Sequence, residues 1–190
     1  MRRAMVLSAV VAGGLALSAA PQAGRQSVPK DAVATWLRNA SANTRRYLVR
    51  TAEKMPEDAY TMRPGPQMEV RTFGQIIGHL ANYNFLWCSQ AKGEPNPSRN
   101  TDFEKVAAKA DLVKAVSDAV AYCDGVYAAL TDASGLEMVS ITQENGQTRS
   151  ILRTGLLIQN HAHNNEHYGN LVTYMRIKSI VPPSSEPRTP

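Results

Sequence analysis

Three of the chain's four histidines fall in His161-Ala162-His163-Asn164-Asn165-Glu166-His167-Tyr168-Gly169. His163 and His167 are four residues apart. On a helix that spacing stacks them one turn apart, about 40° around the axis, so that their ring nitrogens can converge on one metal ion. A neutral imidazole is a common ligand for divalent transition metals. Two imidazoles hold such an ion poorly, and a third ligand must come from elsewhere. The one histidine left is His79, far upstream. A site that used it would join two facing helices across a bundle core. Taken singly, each histidine also reads as a hydrogen-bonded core residue.

The elements that must position these residues can be read from hydrophobic spacing. Leu152, Leu156, Gln159, His163, His167, Leu171 and Tyr174 recur at steps of three and four. They predict an inward-facing stripe on a helix from about Ser150 to Ser179, stopped before Pro182-Pro183. Around His79, Thr72 and Gln75 form a capping-box start, and Phe73, Ile76, Ile77, Leu80, Asn84 and Trp87 repeat at helical steps to about Lys92. A helix is also expected from about Asp31 to Met55, between Pro29 and Pro56, with Trp36, Ala40, Tyr47 and Thr51 on its core stripe. Another runs from Asp111, as N-cap, to Leu130, with Leu112, Ala115, Val116, Ala119, Cys123, Val126 and Leu130 on one face.

The connections differ in kind. Glu57 to Arg71 contains Pro64-Gly65-Pro66, and Gly93 to Ala110 opens with Gly93-Glu94-Pro95-Asn96-Pro97. The second is long enough to span the side of a bundle, so the helices it joins need not form a tight hairpin. Asp132 to Arg149 is the least helical part of the mature chain. Met138 to Thr142 and Thr148 to Ile151 flank Asn145-Gly146, which fits either a short β-hairpin or an irregular loop.

The N-terminus belongs to a different class of segment. Arg2 and Arg3 precede an apolar run from Ala4 to Ala20 that is short for a membrane span. Residues 1–23 read as a secretory signal peptide, with the cut between Ala19 and Gly24. A soluble, exported product, periplasmic or extracellular and without stable membrane insertion, is expected. Removal of Arg2 and Arg3 lowers the formal net charge from +5 to about +3. No basic run interleaved with aromatics occurs, which speaks against a nucleic-acid partner. Cys88 and Cys123 form one disulfide in an oxidising compartment or stay separate buried thiols. Neither lies in a CxxC motif, so neither reads as a catalytic thiol.

The motif Thr72-Phe73-Gly74-Gln75-Ile76-Ile77-Gly78-His79-Leu80, followed by His163-Asn164-Asn165-Glu166-His167-Tyr168-Gly169-Asn170 and Tyr174-Met175-Arg176, resembles the DinB-like (DinB/YfiT) metalloprotein family. The likeness covers residues 31–183 and leaves 184–190 as a flexible tail. It implies an all-α four-helix bundle of up-down-down-up topology, with the long crossover between helices two and three. It also implies a divalent transition metal (zinc, nickel, iron or manganese) held by His79, His163 and His167. His161 falls outside that triad. Where many members carry Arg-Gly-Gln after the last ligand, this chain has Tyr168-Gly169-Asn170. The family includes transferases and isomerases that use small thiols. The resemblance therefore implies a small-molecule substrate or thiol, thiol S-transferase-type or hydrolytic chemistry, and a homodimer.

His163-Asn164-Asn165-Glu166-His167 also reads as HxxEH, a zinc-peptidase signature with the glutamate as general base. That class needs a further downstream carboxylate ligand, and only Glu186 follows, in a proline-rich tail. Three neutral imidazoles instead leave metal positions open to a water or thiol. Tyr83, Asn160, Glu166 and Asn170, each within a turn of a histidine, are expected pocket residues. A non-catalytic bundle that binds a metal or small ligand is the alternative reading.

Overall fold

Helix α2 begins where local chemistry dictates. The Gln75 amide N–H donates to the Thr72 hydroxyl at 3.2 Å, and the Gln75 side chain accepts from the Thr72 N–H at 2.8 Å. Two otherwise unpaired N–H groups are thereby satisfied. The computed structural model describes residues 27–142 and 145–187, so the expected signal peptide lies outside the described residues. Its elements are α1 (Ala32–Lys54), α2 (Phe73–Lys92), α3 (Lys109–Ala129), a single turn α4 (Asp132–Gly135), strands β1 (Met138–Thr142) and β2 (Thr148–Leu152), and α5 (Arg153–Ile177). The fold is mostly helical. No helix among the described residues is long and apolar enough to cross a membrane.

Named contacts fix how the four long helices run. Helices α2 and α5 are antiparallel: Phe73 packs on Tyr174 at one end, while Asn84 bonds Asn160 and Asn164 further along. Helices α1 and α3 are also antiparallel, with Arg38 on the Tyr127 carbonyl and Lys109 on that of Glu53. By contrast α1 and α5 run parallel, Thr44 meeting Asn165 and Tyr47 stacking on Tyr168. Parallel too are α2 and α3, joined by a Cys88–Cys123 disulfide with the Cα atoms 5.4 Å apart. That bond closes a 35-residue separation, for which chain entropy gives a stabilisation of about 3–4 kcal/mol. Because α2 and α3 point the same way, their connection must return along the bundle, and a short 3₁₀ turn at Phe103–Lys105 lays it against α2.

Two apolar clusters make the core, one around Leu48, Phe73, Leu80, Val116 and Leu171, the other around Leu37, Tyr127, Leu156, Leu157 and the disulfide. Between them, along α5, lies a polar layer. Asn84, Asn160 and Asn164 are all buried. Asn84 and Asn164 exchange two amide hydrogen bonds of 2.9 and 3.0 Å, Asn160 donates to Asn84 at 3.1 Å, and the Tyr127 hydroxyl lies 2.9 Å from the Asn160 oxygen.

Several expectations need correction. Trp36 is 64% exposed, and the buried face of α1 runs instead through Ala34, Leu37, Ser41, Thr44, Arg45, Leu48 and Thr51. That face lies between two helices and takes small and polar residues. The Arg45 guanidinium covers the Tyr127 ring at 4.1 Å and reaches Asp124 at 2.6 Å. On α5 Leu156, Leu171 and Tyr174 of the expected stripe are buried, but in the middle of the helix the buried face runs through Asn160, Asn164 and Tyr168, one residue round from Gln159, His163 and His167. Leu152 and Gln159 are exposed, and His163 and His167 stand half-buried at the edge facing α2. The shift arises because α5 packs on both α1 and α2, so the polar amides fill the middle.

The hairpin forms: β1 and β2 pair antiparallel with Ile141 opposite Arg149, and Gly146 turns the chain at φ 79°, a region glycine enters without steric cost. Residues 184–187 are tied down rather than loose. Ser184 bonds the Tyr168 hydroxyl at 2.8 Å, and Glu186 pairs with Arg50 and Lys54.

Replacement of Asn84 by alanine leaves the amides of Asn160 and Asn164 buried and short of partners, at about 1–3 kcal/mol for each such group. Chemical denaturation of Asn84→Ala should show a loss of about 2–4 kcal/mol. An unchanged unfolding midpoint would mean that the polar layer contributes nothing to stability.

Candidate metal centre

Antiparallel packing of α2 on α5 sets His79 opposite His163 and His167. One ring nitrogen from each lies within 4.8 Å of the others. The Nε2 atoms of His79 and His163 are 3.0 Å apart. Two zinc–nitrogen bonds of 2.0–2.1 Å at a tetrahedral angle would put them at about 3.3 Å. The His167 ring meets those of His79 and His163 edge to face, with centroids 4.7 and 4.4 Å apart, while His79 and His163 are tilted at 5.0 Å.

The crossover supplies a fourth group that spacing alone did not reveal. Glu104 Oε1 lies 2.7 Å from His79 Nδ1, and its carboxylate also pairs with Arg71 at 2.8 Å. Burial raises the Glu104 pKa, but hydrogen bonds from Arg71 and His79 outweigh it and keep the group below the usual carboxylate range. An ionised carboxylate only accepts, so His79 Nδ1 carries the proton and Nε2 keeps its lone pair. That lone pair faces the Nε2 of His163.

Gly78 makes this contact available. A Cβ there would lie 2.3 Å from the Phe103 carbonyl oxygen and 2.7 Å from the Glu104 nitrogen. Only a residue without a side chain lets the crossover approach α2 so closely beside His79. No carboxylate in the expected set marked Glu104, since its position depends on how the crossover folds.

All three imidazoles are held neutral. Burial lowers the pKa of each. For His163 the neighbouring His167, His79 and Arg71 add to burial and push it down to about 3. Arg71 also lowers His79, while Glu104 opposes the shift. Neutral rings with free lone pairs are what a divalent ion requires. The buried Nδ1 of His163 has no hydrogen-bond partner among the described residues, so the ring is held by its Nε2 contact with His79 and by packing against Tyr83 and Trp87. The residues present fit a three-histidine metal site.

The remaining candidates separate. Tyr83 packs on the rings of His79 and His163, with centroids 4.5 and 5.1 Å away, and lines a cleft. Asn170 lines a second cleft of about 300 Å³ together with His167, Arg71, Ile76 and Tyr174, and its amide lies 3.4 Å from His167 Nδ1. Asn160, expected on the pocket wall, is fully buried in the amide layer. Glu166 is exposed and acts on His79 and His167 only through space, raising their pKa values. His161 points toward α1, where Asn165 bridges it to Thr44.

Two outcomes follow from this geometry. Gly78→Ala should cost about 1–3 kcal/mol, through overpacking against backbone, and should weaken the His79 Nδ1–Glu104 hydrogen bond as Glu104 is displaced, which NMR reads as faster solvent exchange of the Nδ1 proton. A midpoint equal to that of the parent protein would show that the crossover yields freely. For the pH dependence, each histidine binds its proton less readily in the folded chain than at its ordinary value of 6.5. The stability they contribute is present above 6.5 and is lost as pH falls toward 3, the His163 value. The thermal midpoint of metal-free protein should therefore drop between pH 7 and pH 4, and His163→Gln should flatten that drop; parallel curves would contradict the assignment.

The DinB superfamily model matches residues 41–170. Two solved structures share the fold. A DinB-like protein (YjoA) of Bacillus subtilis is 18% identical, with a TM-score of 0.60 over 77% of this chain and 94% of that one. A DinB-like protein of Bacillus cereus is 13% identical, with a TM-score of 0.61 over 77% of this chain and 93% of that one. No curated protein matches. With more than half of its length matched by the family model, and a histidine cluster able to hold a metal ion between its second and last long helices, the chain belongs to the DinB superfamily.

Proposed function

We propose that the protein is an exported metal-dependent enzyme built on an up-down-down-up four-helix bundle, in which His79, His163 and His167 hold one divalent transition metal. The observation that carries this reading is the convergence of three neutral ring nitrogens, with His79 Nε2 turned toward the others by Glu104. The helix pairings support the topology, and the long crossover has a role in it, since it delivers Glu104. The leader segment and the Cys88–Cys123 disulfide support export to an oxidising compartment.

When bound, an ion held by three imidazoles supplies a Lewis acid with open positions that lowers the pKa of a water or a thiol. The chain's own groups do the rest. Glu104 holds the proton on His79 Nδ1 and keeps the ring oriented, while Arg71 keeps Glu104 ionised. Tyr83 and Trp87 cover His163 on one side and exclude water from it, their ring centroids 5.1 and 4.8 Å from its own. On the other side His167 stands in the wall of the cleft with Arg71 and Asn170, which gives a substrate access to the cluster. The chemistry suits thiol transfer or hydrolysis of a small molecule.

The test is elemental analysis of the mature protein purified without a metal-affinity tag. About one equivalent of a single transition metal is expected from the stoichiometry of the cluster, with none retained by His79→Ala or His163→Ala. Glu104→Ala should keep the fold and lose affinity by roughly 10–100-fold. Activity screens with the loaded protein then separate the two classes. An enzyme shows a turnover that His163→Ala abolishes, whereas a non-catalytic metal-binding bundle has no turnover to lose; the thermal stability contributed by the bound ion is lost in both. Full metal content in His163→Ala would sink both readings at that residue.

A further inference from the structure

Further along α2 from the cluster, the helix and the β1–β2 hairpin enclose a cleft of about 390 Å³, whose wall includes Tyr83, Trp87, Gln90, Ile141, Asn145 and Arg149. Small-ligand sites occupy about 300–1,000 Å³. Arg149 is out of pattern there. Directly opposed residues of a hairpin share a face, and the register pairs Val139 with Ile151 and Ile141 with Arg149. Val139 and Ile141 are buried and Ile151 is half-buried, so an arginine occupies a row that is otherwise apolar. Its guanidinium has no hydrogen bond or ion pair among the described residues, and no described acidic residue lines the cleft.

A second polar group in the same wall lacks a partner. Gln90 Oε1 is buried with no hydrogen bond among the described residues, a state that costs about 1–3 kcal/mol unless a ligand or water supplies a donor. Between the two runs an aromatic surface. Tyr83 and Trp87 meet edge to face at 5.1 Å, and both rings touch His163.

We propose that this cleft binds a small organic carboxylate that carries a flat apolar body and a hydrogen-bond donor. The carboxylate sits on Arg149, the body on Tyr83 and Trp87, and the donor on Gln90. A single planar guanidinium matches a carboxylate with two parallel hydrogen bonds. A phosphate dianion would call for further cations or a helix N-terminus, and the described lining residues offer neither. Tyr83 and Trp87 stand between this cleft and His163, so the ligand is read as bound beside the histidine cluster and not at it, and its binding does not depend on the proposed function.

N-acetyl-L-tryptophan has the three required features, and N-acetyl-L-tryptophanamide lacks only the charge. Both should be titrated calorimetrically into the full mature protein and into its Arg149→Gln, Trp87→Ala and His163→Ala variants. The carboxylate should bind at least about tenfold tighter than the amide, as a charge-assisted bidentate pair warrants. Arg149→Gln, at an exposed position, should abolish that preference and leave the amide unaffected, while Trp87→Ala should weaken both. Equal affinity of the two probes, no binding of either, or a preference that survives Arg149→Gln overturns the proposal. In His163→Ala the preference should persist without metal, so that failure of the metal site leaves the cleft standing. Loss of the preference together with the metal would place the carboxylate on the ion instead and would also overturn the proposal.

Discussion

The register between α2 and α5 rests on a buried exchange of amide hydrogen bonds. Asn84 and Asn164 each donate to and accept from the other, and Asn160 adds a further donor. Apolar packing is tolerant of sliding, because one leucine serves nearly as well as the next against a given surface. Amides are not. A slip of one helical turn would leave several buried donors and acceptors unpaired, at about 1–3 kcal/mol each. The polar layer therefore selects one register among many of comparable hydrophobic burial. Asn164 follows His163 directly, so the same choice sets His163 against His79.

The second constraint is backbone approach. The crossover must return along α2 because α2 and α3 are parallel, and the disulfide holds those two helices together at the far end. Gly78 lets the returning chain come close enough for Glu104 to reach His79. Charge then propagates in a short chain: Arg71 keeps Glu104 ionised, Glu104 holds the proton on His79 Nδ1, and Nε2 is left as a donor of electrons. Burial keeps His163 neutral, since a charged ring there would face both desolvation and two other imidazoles. Burial is also the first cause at His79 and His167, while Glu104, which by itself favours a charged His79, fixes which of its nitrogens carries the proton.

Chemistry is spread along the groove between α2 and α5. At one end His167 stands beside Arg71 and Asn170; at the other Arg149 of the hairpin lines a cleft together with Trp87. Tyr83 touches His79 and His163 and also lines the hairpin cleft, which couples that cleft to the histidines by direct contact. The hairpin is thus more than a connection, as it closes one wall of this groove.

Much of this was legible in the residues alone. The face of α3 through Leu112, Ala115, Val116, Ala119, Cys123 and Val126 is buried as read, because a single apolar stripe has only one place to go. The capping box of α2 is local chemistry and needs no tertiary partner. The spacing of His163 and His167 put two rings on one face, and His79 was the only histidine left to join them. What the sequence could not decide was which side of a helix carrying two plausible faces would turn inward. Trp36 is exposed on α1, and in the middle of α5 the buried face lies one residue from the expected one, because each of these helices packs between two neighbours. Glu104 and Arg149 were hidden for a related reason. A charged residue in a crossover or a hairpin looks solvated until the fold decides what it faces, and only tertiary packing places one on His79 and the other in a cleft. Local spacing determined the elements and their candidate ligands; long-range contacts decided register, burial and the partners of each charge.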